Sequence, residues 1–156
     1  MIRLLILACV LCTLSFTPGS GPDVHSKDYM INQVNQVRKN GCYCGKRYMH
    51  PVSPIRWSEV LYTSAENHAR EMLQYNFFAH FSKDGKDIGE RLQNFGYNWQ
   101  VAGENLGEGQ QDFDEVLEDW KASSSHCRML MHPKVTEMAV AKIGKYWVQH
   151  FGKPME

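Results

Sequence analysis

The chain has 156 residues, with 17 basic side chains against 17 acidic ones and a formal net charge of zero. That length supports one domain and not two. A neutral chain gives no electrostatic case for nucleic acid or an anionic membrane surface as a partner.

The first residues, MIRLLILACVLCTLSF, carry one early positive charge and then an apolar run from Leu4 to Phe16. Small residues and chain breakers close it, from Thr17 to Pro22. This is the layout of a secretory signal peptide, expected over residues 1–21 with the cleavage point open. The run falls short of the ~20 residues of a spanning helix. Acylation at Cys9, as in a lipoprotein, is disfavoured because Cys9 comes too early for a full apolar segment to precede it. No later stretch is long and apolar enough to span a bilayer, so an integral membrane protein is not expected. The expected location is extracellular or periplasmic.

In the rest of the chain, Met30, Ile31, Val34 and Val37 share one helical face over residues 28–39, and Gly41 ends that helix. Residues 42–57, with Pro51 and Pro54, read as a loop. Ser58 is the expected N-cap of a second helix, in which Leu61, Ala65, Ala69 and Met72 recur at helical spacing. SKDGKD is a turn. Ile88, Leu92 and Phe95 mark a short third helix stopped at Gly96. WQVAGENLGEG reads as a strand and then a loop. Asp112 and Glu115 stand in capping-box positions for a fourth helix, with Val116 and Trp120 inward. Residues 136–151 read as a hairpin turning at Gly144. Helices followed by few strands, without βαβ alternation, predict an α+β fold.

Cys9 and Cys12 leave with the signal peptide, so Cys42, Cys44 and Cys127 remain. An exported chain lies in a disulfide-permissive compartment. Cys42 and Cys44 stand too close to suit each other, which makes Cys127 one partner of a bridge and leaves one thiol over. The competing reading is a zinc site from Cys42, Cys44, Cys127 and His126. Against it stands the C-x-C spacing, unlike the C-x-x-C of zinc folds.

Six segments in order, RWSEVLYTSAENHAREM, NFFAHFSKDG, ERLQNFGY, AGENLGEG, VLEDWKASSSHC and YWVQHFG, give the chain a family likeness. It resembles the CAP superfamily of cysteine-rich secretory proteins, antigen five and plant pathogenesis-related proteins, in the compact form of the bacterial branch. The likeness runs from Tyr29 to Gly152, and a single CAP domain is expected over residues 28–152. It implies a three-layer α-β-α sandwich with a small central antiparallel sheet. It also implies a cleft lined by His80, Glu104 and His126. A second glutamate, three residues after Trp120, is replaced by Ser123, which takes one carboxylate from the cleft. Relatives of this type carry CG before the second helix and HC after the fourth, which implies a Cys44–Cys127 bridge and leaves Cys42 as the odd thiol.

Two imidazoles and a carboxylate suit zinc or a similar divalent ion, so His80, Glu104 and His126 are the candidate metal ligands. In the alternative, Glu104 accepts hydrogen bonds from imidazole and backbone and ties strand to helices. His68 reads as a packing histidine, and His25, His50, His132 and His150 as surface or loop residues. Trp57, Trp120 and Trp147 read as core and Trp99 as the more exposed indole. Ser124, Ser125 and Cys127 flank His126, but neither a G-x-S-x-G elbow nor an H-E-x-x-H motif is present. The function expected is that of a secreted, monomeric binding module for a divalent metal, a lipid or an envelope glycan. The alternatives are a metal-assisted hydrolase, in which Glu104 orients or deprotonates a water, and a purely structural domain.

Overall fold

The computed structural model describes residues 26–155. The expected signal peptide, Cys9, Cys12 and His25 lie outside these residues. In chain order the elements are α1 (Lys27–Asn40), β1 (Cys42–Cys44), β2 (Arg47–Met49), β3 (Arg56–Trp57), α2 (Glu59–Tyr75), α3 (Ile88–Asn94), β4 (Trp99–Glu108), α4 (Phe113–Ala122), α5 (Ser124–Leu130), β5 (Glu137–Ile143) and β6 (Tyr146–Pro154). The main sheet has the order β3-β5-β6-β4. β3 runs parallel to β5, and the other pairs are antiparallel.

Side chains on a strand point alternately to opposite faces, and that alternation builds the layers. Met138 and Val140 of β5, with Trp147 and Phe151 of β6, pack with Met30 and Val34 of α1, Phe113, Val116 and Trp120 of α4 and Leu130 of α5. On the opposite face, Ala141 and Val148 pack with Ala65, Ala69 and Met72 of α2. Ala139 joins Leu61 and Leu92 there. Helices cover both faces, so β5 and β6 read as nearly continuous buried runs. The result is the expected α+β sandwich.

Several local expectations change. Residues 42–57 contain the β1–β2 hairpin and β3, not a simple loop. β4 continues through GENLGE, and the turn comes only at Gly109, with φ of 100°. Ser58 stands at the N-cap of α2 but makes no capping bond with its side chain. Asp112 does cap α4, accepting from Glu115 N, but the Glu115 carboxylate takes the N–H of Gln111 instead of completing the box. The reciprocal box belongs to α3, between Asp87 and Glu90. The stretch after Ser123 is a helix, α5, where no helix was expected. Trp57 and Trp99 are both half-buried, and Trp99 Nε1 donates to Gly89 O at 3.0 Å.

Candidate functional site

β4 is an edge strand of the sheet. Its residues 102, 104 and 106 point to the α2–α3 layer and 103, 105 and 107 to the α4–α5 layer. Glu104 therefore enters the α2–α3 side with its side chain only 2 % exposed. It faces His150 directly across the β4–β6 ladder.

Three donors converge on that carboxylate. His80 Nδ1 lies 2.7 Å from Oε1, while Arg91 Nη2 at 2.6 Å and His150 Nε2 at 2.9 Å share Oε2. His68 Nε2 stands 4.0 Å from the same oxygen. Burial works to raise the Glu104 carboxyl. The bonds from His150 and His80 and the charge of Arg91 outweigh it and hold the group well below the usual carboxylate range. His80 is raised by its bond to Glu104. Burial lowers His150 and His68. His150 is thus a neutral ring donating from Nε2, and its Nδ1 has no partner among the described residues.

The same groups brace the segment that carries His80, between α2 and α3. Arg91 Nη1 donates to His80 O at 2.8 Å, Lys86 O at 3.0 Å and Ser82 Oγ at 3.3 Å. His68 Nε2 lies 3.0 Å from Ala79 O, and Glu71 Oε1 accepts from Lys83 N at 2.9 Å. Arg91 and His150 are the members of this cluster that sequence reasoning missed. His150 is fully buried, not a surface histidine. The alternation of YWVQHF, which sets Tyr146, Val148 and His150 on one face, was the available signal. His132 is half-buried, and His50 is exposed.

His126 and Ser123 lie elsewhere around the edge of β4. They line a cleft of about 420 Å³ with Phe78, Gly107, Gln110 and Asp119. Burial and the charge of His80 lower the His126 imidazole. Asn105 Nδ2 donates to His126 O at 3.3 Å and to Gln149 Oε1 at 3.1 Å, tying α5 to the sheet. The larger concavity, about 690 Å³, lies away from this site between α1 and the Pro51–Pro54 segment.

The structure joins His80 to Glu104 directly, but His126 makes no hydrogen bond to either. Among the described residues, the group of His, Cys, Asp or Glu whose ligand atoms all lie within 4.8 Å of one another is Cys42, Cys44 and Cys127. His80, Glu104 and His126 do not form such a group, and both Glu104 oxygens are already engaged. The trio as placed does not fit a shared ion. Cys44 and Cys127 form a disulfide with a Cα–Cα distance of 5.3 Å, and Cys42 is free.

The profile of the cysteine-rich secretory protein family, CAP, matches residues 31–151. YkwD of Bacillus subtilis is 29 % identical over 108 residues, covering 68 % of this chain and 42 % of YkwD. The membrane protein YlbC of the same organism is 29 % identical over 107 residues, covering 69 % of this chain and 31 % of YlbC. The chain therefore spans less than half the length of either relative. Among solved structures, an extracellular protein of Bacillus anthracis containing an SCP domain superposes with a TM-score of 0.72 at 24 % identity, over 81 % of this chain and 40 % of that one. An outer surface protein of Borrelia burgdorferi gives 0.71 at 16 % identity, over 82 % of this chain and 92 % of that one. At these identities the two structures speak for the fold. No helix among the described residues is long and apolar enough to cross a membrane.

Proposed function

The chain belongs to the cysteine-rich secretory protein family, CAP, and on that premise we propose that it is an exported binding module for a hydroxyl-rich ligand of the envelope-glycan class. The observation that carries this reading is the cleft at the edge of β4. Its volume of about 420 Å³ falls in the ordinary range of small-molecule sites. One wall is aromatic: Phe78 is 45 % exposed and stacks on Tyr146 with centroids 6.0 Å apart. The rest of the lining mixes apolar Leu106 and Trp120 with polar Gln110, Asp119, Ser123 and His126. Aromatic surface interleaved with hydrogen-bonding side chains suits a sugar ring better than an acyl chain, which wants apolar walls throughout. Export is supported by the N-terminal pattern and by the likeness to an extracellular protein and an outer surface protein.

Glu104 serves this site as a post. A carboxylate held far below its ordinary pKa and already accepting three hydrogen bonds is a poor base toward water. That weighs against the hydrolase reading. It also weighs against a metal held by His80, Glu104 and His126, since the ion would have to displace Arg91 or an imidazole. The test is calorimetry on one oxidised preparation with three probes: a chitin tetrasaccharide, zinc ion, and phosphatidylglycerol vesicles. The glycan should bind, and His126→Ala and Phe78→Ala should each weaken it by about tenfold, or ~1.4 kcal/mol. Zinc binding lost in His80→Ala, or binding to vesicles alone, would overturn the reading.

A further inference from the structure

The three cysteines form a cluster that the cleft does not use. Cys42 and Cys44 lie two residues apart on β1, so both sulfurs leave the same face of the strand, while Tyr43 between them points outward and is 68 % exposed. That face meets Cys127 of α5. The Cys42 sulfur rests 3.4 Å from the Cys127 sulfur, which is already bonded to Cys44. Cys44 and Cys127 are buried with Met131, against partly buried Val37, Met49 and Val52, while Cys42 is only half-buried at the margin of this cluster.

We propose that Cys42, Cys44 and Cys127 are an internal thiol–disulfide exchange site, in which Cys127 alternates between two partners on β1. The Cys42 thiol gives its proton to solvent, and the thiolate attacks Cys127 Sγ. The Cys42–Cys127 bond forms as the Cys44–Cys127 bond breaks. Cys44 leaves with the bonding electron pair and takes a proton from solvent. Two sulfurs are oxidised and one is reduced on both sides, so the step needs no outside oxidant or reductant. The half-buried thiol is the one a small thiol or disulfide from solution reaches first. The sulfur that changes partner follows His126 directly in α5. Exchange therefore moves the anchor of the helix that lines the cleft by two residues along β1. This holds whether or not the cleft takes a glycan.

Burial raises the Cys42 thiol, while Lys121 of α4 pulls it down. Lys121 is itself paired with Glu118 at 2.5 Å. The resting site therefore holds a thiol at Cys42, and mild alkali promotes the attack.

The full chain, oxidised and free of added thiol, is held for hours, the timescale of uncatalysed disulfide rearrangement, at about pH 9.5, roughly a unit above the ordinary cysteine pKa of about 8.5. It is then quenched in acid and labelled with N-ethylmaleimide. Chymotryptic cleavage after Tyr43 separates Cys42 from Cys44, and mass spectrometry reads which of them carries label. A sample quenched at once should carry label on Cys42, and the incubated sample on both. Cys44→Ser, oxidised in parallel, should yield a Cys42–Cys127 peptide pair. Label that stays on Cys42 throughout the incubation overturns the proposal, whatever the variant does. If Cys44→Ser fails to fold, the wild-type label distribution alone decides.

Discussion

Arg91 Nη2 donates to Glu104 Oε2 at 2.6 Å, with the two side chains 4 % and 2 % exposed. A pair this deep is not stabilising merely because it exists, since both charges have left water. Breaking it from one side strands the other charge. Arg91→Met should therefore cost about 3–5 kcal/mol, read as a fall in the urea midpoint at unchanged slope. Arg91→Met with Glu104→Leu should recover much of that loss. A single variant that costs no more than a typical surface substitution would mean that the cluster tolerates an unpaired carboxylate.

The same cluster sets a pH dependence. His68 and His150 are lowered from 6.5, mainly by burial. The unfolded chain therefore binds more protons than the folded one as pH falls below 6.5, and stability drops. His80 is raised from 6.5 by Glu104, so its contribution is present below 6.5 and fades as pH rises through its folded value. Glu104 is lowered from 4.5. Its contribution is present above 4.5 and lost only on further acidification. Between 6.5 and 4.5 the two buried imidazoles, joined by His126 and His132, which burial also lowers, oppose the exposed His80. The wild type should have a lower urea midpoint near pH 5 than near pH 7.5. His150→Gln should lose less across that window and His80→Gln more. Equal losses in all three proteins would remove His150 and His80 from the account.

The layers were legible in the sequence because they rest on periodicity. Met30, Val34, Leu61, Ala65 and Ala69 recur at helical spacing, and all are buried. Glu104 and His80 came from the family likeness, not from spacing. Arg91 was unreadable because a single arginine on a short helix looks like a solvated charge until the fold brings it under the His80 segment. His150 was legible from the strand alternation with Tyr146 and Val148, but its partner was not, because only the β4–β6 register sets it opposite Glu104. The course of β4 was misjudged because two glycines look like loop punctuation, whereas here they are places where helices press on a strand. α5 escaped because SSSHC has no apolar period.

The bridge should dominate the response to reductant. It spans 83 residues, and the chain-entropy relation puts closure of such a loop at ~4–5 kcal/mol. Cys127→Ser removes both possible bridges on β1 and should show nearly the whole effect as a lower thermal midpoint. Cys42→Ser keeps Cys44–Cys127 and should melt like the wild type. A wild type whose midpoint is indifferent to reductant would show that packing around Met131, not the bond, holds α5 on β1.

Gly103 and Gly107 can be tested against each other. A Cβ on Gly107 would fall 2.6 Å from Val116 Cγ2 and 3.0 Å from Gln110 Oε1. Val116 is branched at Cβ, fully buried in α4 and stiff at χ1. A Cβ on Gly103 would run into the Met129 thioether, but methionine is unbranched and readily changes rotamer. Overpacking at a rigid neighbour costs about 1–3 kcal/mol. Gly107→Ala should lie in that range and also perturb the cleft that Gly107 lines, whereas Gly103→Ala should cost less. Chemical denaturation of both variants gives the ranking, and the reverse order would place the tighter strand–helix contact at α5 instead of α4.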